Sequence, residues 1–320
     1  MSWALPAVDA LAARLLEDRL VDAVLGWARD PDLPWQRYPH RVDEPSRVGE
    51  LVWDPFCAPG LAKLVFRMTE GGLKLGVLAR GCDALGVWRL IHDRRIAREN
   101  VYLLGLPCPG MADGVRVWEE CPEAFDAAGW EDHGSHWVAV PTGIRLPKER
   151  FLLDKCLQCQ VRWPRQCDEV LAVQGGSWNP FCEDRYRQVR QLEELPLPQR
   201  FDFWRGWFER CLRCFACRQV CPACNCESCS LDQFEPNWLE REVGVATQFI
   251  FHFTRALHVA GRCVDCGECQ RACPVGFPLG ALNRKMMKDM EDLFGVREPF
   301  VPQESEPLGE FALDDPDEFR

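Results

Sequence analysis

The sequence predicts two domains of different class: an α/β N-terminal domain with a small parallel sheet, then a mainly helical C-terminal domain. Three observations predict them. Leu73–Ala79 and Val101–Leu106 are short apolar runs of strand length on either side of a helical stretch, Ala84–Arg95. Two copies of one cysteine run, each closed by proline, stand in the C-terminal half. The long link between those copies has the apolar period of a helix.

Residues 7–29 come first and read as an amphipathic helix, because Val8, Leu11, Leu15, Leu16, Leu20, Val24 and Trp27 recur at helical spacing. Asp30–Pro45, rich in proline and charge, reads as a loop. In the βαβ unit that follows, Arg80-Gly81-Cys82-Asp83 is the turn after the first strand, with Asp83 as the helix N-cap. Two buried-type strands around a helix imply a parallel pair with a right-handed crossover. His136–Val140 is expected to extend the same sheet. A boundary is expected near Pro147, giving an α/β domain over 1–150 and a cysteine-containing connector over 151–200 that completes it. Within that connector QLEELPLPQR (191–200) reads as a linker. The helical domain spans 201–297, and the strongly acidic 298–320 is expected to be an extended tail.

The cysteine runs carry the chemistry. They are Cys211-x2-Cys214-x2-Cys217-x3-Cys221-Pro222 and Cys263-x2-Cys266-x2-Cys269-x3-Cys273-Pro274. This is the ligand run of two-cluster ferredoxins, in which the fourth cysteine of each run serves the other run's cluster. The expected sets are therefore Cys211, Cys214, Cys217 and Cys273 for one [4Fe–4S] cluster, and Cys263, Cys266, Cys269 and Cys221 for the second. Paired zinc sites are the competing reading, but zinc gives no reason for the x3-Cys-Pro ending. The link from Pro222 to Arg262 contains Glu242–Val259, with Val243, Ala246, Phe249, Ile250, Phe253 and Leu257 on one face. A helical dicluster ferredoxin-like module fits such a link better than the small β-type ferredoxin does.

Composition narrows the function. Nineteen cysteines in 320 residues, an odd number at metal-type spacings, point to reduced thiols and a cytoplasmic setting. No signal peptide or membrane span is expected. A net charge of −11 argues against nucleic acid as a partner. Between Arg205 and Met290 basic residues slightly outnumber acidic ones, and Arg210, Arg213, Arg218, Arg262 and Arg271 sit beside the ligands. Guanidinium groups there would favour reduced clusters.

Two resemblances follow from these motifs. Residues 201–295, by the two runs and the helical link, look like the α-helical ferredoxin module of the small iron–sulfur subunit of heterodisulfide reductases. Residues 45–185 resemble the beta subunit of deazaflavin (coenzyme F-420)-reducing hydrogenases and formate dehydrogenases. The matching stretches are Ala79-Arg80-Gly81-Cys82-Asp83, Arg98-Glu99-Asn100-Val101, Gly105-Leu106-Pro107-Cys108-Pro109-Gly110-Met111, and Lys155-Cys156-Leu157-Gln158-Cys159 followed by Pro164.

The second resemblance implies a third [4Fe–4S] cluster next to a flavin, with Cys82, Cys108, Cys156 and Cys159 as its ligands. Two of these have independent support. Cys82 falls at a helix N-terminus, where the dipole lowers thiol pKa, and Cys108 follows the neighbouring strand, where α/β folds bind ligands. Fusion to a two-cluster module reads as a departure from the family pattern. Cys224, Cys226 and Cys229 are dense enough for a further metal site, completed by Cys167 or Cys182. Cys57 could approach the first-domain site, and Cys121 stands alone as a structural cysteine. FAD has no motif to support it: there is no G-x-G-x-x-G, and Gly71-Gly72 and Gly175-Gly176 are too short to signify phosphate binding.

The expected function is electron transfer inside a multisubunit oxidoreductase, between a flavin-bearing partner and another redox subunit of heterodisulfide-reductase-like, hydrogenase or formate dehydrogenase type. No catalytic residue is assigned. The alternative is a flavin-dependent subunit that exchanges hydride with a deazaflavin or nicotinamide and passes electrons to the clusters.

Overall fold

The structure is a computed structural model. It describes residues 5–69, 71–171, 180–182, 184–233, 235–240 and 242–296. The acidic tail and Gly175-Gly176 lie outside the described residues. The chain forms two units: residues 1–185 with the segment Cys266–Glu268, and residues 186–265 with 269–320.

The first unit is built on a five-stranded sheet of order β2-β1-β3-β4-β8. Its strands are β1 (Ala23–Arg29), β2 (Arg37–Val42), β3 (Leu75–Ala79), β4 (Val101–Gly105) and β8 (Glu169–Val170). β1, β3, β4 and β8 are parallel neighbours, and β2 closes one edge antiparallel to β1. All five residues of β3 are buried, as a parallel strand covered on both faces requires. Gly26 admits close approach across the sheet, since a Cβ there would stand 2.7 Å from Leu78 Cδ1. The crossover helix between β3 and β4 is α3 (Gly81–His92), with Arg80 at its N-cap and Asp83 in its first turn rather than at the cap.

Three expectations for this unit are corrected. The helix α1 (Leu5–Glu17) stops well short of residue 29, and Ala23–Arg29 is a strand. Arg19 at φ 52° ends the helical backbone, and Asp22 then pairs with Lys74 to start the sheet. An apolar run buried on every side satisfies a helical template as well as a strand. Asp30–Pro45 contains the edge strand β2, whose Pro39 is tolerated because an edge strand need not donate on its outer side. His136–Val140 is a strand, β6, but it lies in a separate antiparallel sheet between β5 (Gly129–Asp132) and β7 (Arg145–Pro147).

The second unit is helical. The expected linker 191–200 is the end of α7 (Arg187–Glu194) and the start of α8 (Leu197–Arg210), with Pro198 in the first turn of α8. α8 runs into Cys211 and packs on α10 (Val245–His258), which also meets α12 (Leu279–Phe294). Phe208, Phe277, Trp204 and Trp207 form its aromatic centre.

The apolar residues of α10 share one face, as expected, and that face is the outward one. Thr247, Gln248, Phe251, His252, Arg255 and Ala256 face inward, whereas Val243 just before the helix and Phe249, Ile250, Phe253 and Leu257 on it are exposed. The polar face is buried because its partners are backbone and sulfur atoms of the cysteine loops, which apolar side chains could not satisfy.

Leu78 is fully buried in the central strand. Leu78→Ala is expected to cost roughly 2–5 kcal/mol, seen as faster amide exchange across β3 and β4.

Candidate iron–sulfur sites

In the first unit the site forms where β3 and β4 end. Arg80, 1% exposed, leaves β3 and binds in several directions. Its Nε donates to Asp83 Oδ2 at 2.6 Å, and its Nη atoms donate to the carbonyls of Cys57, Ala58 and Pro59 at 2.5–3.1 Å. Its guanidinium lies 4.9 Å from the Trp27 ring centroid. Asp83 also accepts from Leu61 N at 2.8 Å. Burial works against the charge on Arg80, but Asp83 and Cys82 outweigh it and hold the group firmly protonated.

Four cysteines gather around this fork. Arg80 faces Cys82 and Cys108, and Lys155 faces Cys82 and Cys156. Arg162 faces Cys108, Cys159 and Cys156, while Cys82 lies within reach of Cys159 and Cys108 within reach of Cys156. Backbone bonds fix the frame: Cys108 N donates to Arg162 O at 2.8 Å, and Val161 N donates to Cys159 Sγ at 3.4 Å. Gly81 lets helix and loop meet, since a Cβ there would stand 2.2 Å from Val161 O. Within the same unit Lys155 binds Ala58 O and pairs with Glu268.

The helix N-terminus does not lower the Cys82 thiol. Burial raises it well above the usual thiol range and outweighs the neighbouring cations, and burial pushes Cys108 up to about 11. Unbound, Cys82 and Cys108 are thus neutral thiols beside Arg80, whereas thiolates bound to iron would balance the cations gathered here. The donor chemistry fits an anionic iron–sulfur group. Cys57 is held differently: its thiol faces Val52 O and Asp54, and its carbonyl accepts from Arg80. Cys121 faces Glu123.

The two cysteine runs share one backbone pattern. Arg213 and Phe215 have φ of 48° and 61°, and their counterparts Asp265 and Gly267 have 50° and 66°. These left-handed residues curl each run, and a four-residue helix follows each, Ala216–Gln219 and Glu268–Arg271. Cys211 lies within reach of Cys214 and Cys273, and Cys217 within reach of Cys211 and Cys273. Cys263 is similarly near Cys221 and Cys269. Cys266 belongs to the segment counted with the first unit.

Buried polar groups serve these cysteines. Gln248 Nε2 donates to Cys211 O at 3.0 Å, and His252 Nε2 lies 3.2 Å from Cys211 Sγ. Asn283 Nδ2 donates to Cys269 Sγ at 3.4 Å, and Phe277 N to Cys273 Sγ at 3.4 Å. Burial pushes Cys217 up to about 12. A hydrogen bond from Cys224 holds Cys221 low instead. Cys229 lies beside Arg218, and Cys226 is exposed. Cys167 and Cys182 face Arg165 O and Asp184 O within the first unit.

Among the described residues no three His, Cys, Asp or Glu side chains stand close enough to share a single metal ion. Cluster thiolates each bind a different iron, so they need not meet at one point.

Sequence reasoning missed the cations. Arg80 and Lys155 lie inside the quoted motifs without a role, and Arg162 and Arg255 were passed over. Of the arginines noted in the sequence, Arg218 pairs with Asp232 at 2.7 Å, Arg213 donates to Glu240 O at 2.7 Å and also faces Cys211, and Arg210 lies over the Trp207 ring. The available signal for Arg255 was that Thr247, Gln248, His252 and Arg255 share a helical face.

No protein-family model matches the chain. Two named relatives do. The chain is 25% identical over 346 residues to the F420-dependent formate dehydrogenase subunit beta of Methanocaldococcus jannaschii, with 90% of each chain covered. It is 22% identical over 364 residues to the F420-dependent formate dehydrogenase 1 subunit beta of Methanococcus maripaludis, covering 94% of this chain and 92% of that one. A chain of the F420-reducing [NiFe] hydrogenase complex from Methanosarcina barkeri, solved in a xenon-derivatization study, matches at 16% identity and a TM-score of 0.42 over 52% of this chain and 66% of that one, a likeness too slight to argue from. The two relatives support the resemblance seen over residues 45–185. The matched length also spans the region of the two cysteine runs.

Arg80→Met would leave Asp83 buried and unpaired. The first unit is expected to lose about 3–5 kcal/mol, measured by anaerobic urea unfolding followed through Trp27 fluorescence.

Proposed function

We propose that the chain is an iron–sulfur subunit of a multisubunit oxidoreductase of the formate dehydrogenase or hydrogenase kind, passing single electrons between a flavin-bearing partner and another redox subunit. The observation that carries this is the pairing of the two cysteine runs, each with the same curled backbone and with thiols from both runs facing one another. The names of the two relatives support the class of complex. [4Fe–4S] clusters, when bound, accept and release one electron at a time.

The chain's own residues would do the rest. Cys211, Cys214, Cys217 and Cys273 would hold one cluster, Cys263, Cys266, Cys269 and Cys221 a second, and Cys82, Cys108, Cys156 and Cys159 a third. Arg80, Lys155 and Arg162 would balance the third site's charge, and the aromatic centre of the second unit would keep water from the thiolates. A further site at Cys224, Cys226 and Cys229 has less behind it, since Cys224 is engaged with Cys221 and Cys229 with Arg218. No helix among the described residues is long and apolar enough to cross a membrane.

A second reading has one observation in its favour: both relatives are named as F420-dependent. On this reading the first unit binds flavin and exchanges hydride with a deazaflavin. Gly71-Gly72 is an exposed turn with φ of 91° and 86° and offers no phosphate cradle.

Iron, acid-labile sulfide and flavin per chain, measured after anaerobic purification, test both readings. About 12 irons without flavin are expected, and about 8 would remove the third cluster. Stoichiometric flavin would establish the second reading in place of the first. Cys214→Ala is expected to abolish one cluster's EPR signal and spare the others, and an unchanged reduced spectrum would refute its ligand role.

The exposed stripe of Phe249, Ile250, Phe253 and Leu257 has the character of a surface that a partner redox subunit covers. Phe253→Asp is expected to weaken co-elution with the partner at unchanged iron content. Full co-elution would remove the stripe from the interface.

A further inference from the structure

The buried face of α10 carries a charge that the packing around it does not explain. Arg255 is 2% exposed. One Nη donates to the Cys217 carbonyl at 3.3 Å, while Nε and the other Nη are buried without a hydrogen-bond partner. A buried guanidinium in that state is strongly unfavourable unless opposite charge stands close to it. What stands close are the sulfurs of Cys221, Cys269, Cys224 and Cys217. Thiolates bound to iron would supply that opposite charge. Cys217 belongs to one expected ligand set, and Cys221 and Cys269 belong to the other. A single cation thus faces ligands of both.

We infer that Arg255 is a positioning residue shared by the two iron–sulfur sites of the second unit, and that its guanidinium raises the reduction potentials of both together. This rests on the iron–sulfur reading above. Each reduction adds one electron, and so one negative charge, beside a fixed positive charge in a site shielded from water. The electrostatic gain is larger there than it would be at the surface. Neighbouring groups do not duplicate the effect. Arg284, which also faces Cys263 and Cys269, is paired with Asp265 at 2.9 Å. The unsatisfied donors of Arg255 have the fixed fork geometry of a guanidinium, which an ammonium does not reproduce.

The test uses the full chain, purified anaerobically as wild type, Arg255→Lys and Arg255→Gln. Iron per chain is measured first, followed by an EPR-monitored redox titration. With iron retained, Arg255→Gln is expected to lower the midpoint potentials of both clusters, and Arg255→Lys is expected to lower them less. Unchanged potentials, or a shift in one cluster alone, would overturn the inference. If Arg255→Gln loses iron, retention in Arg255→Lys supports the role of charge, and equal loss in both variants overturns it in favour of simple packing. Wild-type protein without iron would instead defeat the functional reading beneath it.

Discussion

Burying positive charge is the constraint on which both candidate sites depend. Arg80 in the first unit and Arg255 in the second are each almost fully withdrawn from water. Arg80 meets the cost with Asp83, three carbonyls and an indole face. In doing so it joins the end of β3, the first turn of α3 and the loop 57–59 into one frame, and Cys82 is carried by that frame. Arg255 has fewer ordinary partners, and sulfur is what surrounds it. In both places the side chain that sets the electrostatics is one or more steps removed from the cysteines that a motif search finds.

The two cysteine runs show how a short stretch of residues repeats one backbone shape. Positive φ at the third and fifth positions of each run curls the chain between successive cysteines. Gly267 adopts that conformation without a steric cost. Phe215 bears one in the matching place and is held there by contact with Phe251. The following proline ends each run, and the fourth cysteine is released toward the other run. The repeat seen in the sequence is therefore a repeat of backbone geometry as well as of sulfur spacing.

Much of this was legible in advance, and the failures have physical causes. The βαβ unit was readable because β3 and β4 are continuous apolar runs with a turn at each end. The repeat of the two cysteine runs was readable from their spacing, and the backbone conformation repeats with it. β1 was misread as helix, since Leu20, Val24 and Trp27 satisfy a helical period and only the sheet decides between the two. The apolar period of α10 was legible, but not which of its faces the fold buries: the inner lining is carbonyl and sulfur, so Gln248, His252 and Arg255 turn inward. The cations of the first site were invisible to motif reading, because nothing in Arg80-Gly81-Cys82-Asp83 tells whether its arginine points to water or into the fold.

The outward apolar face of α10 also bears on the chain in solution. With Phe249, Ile250, Phe253 and Leu257 in water, two copies would meet through those stripes at high concentration. Keeping copies apart is then a requirement of solubility and not of chemistry. The polar lining that turned inward toward the cysteines is what left the apolar side outward.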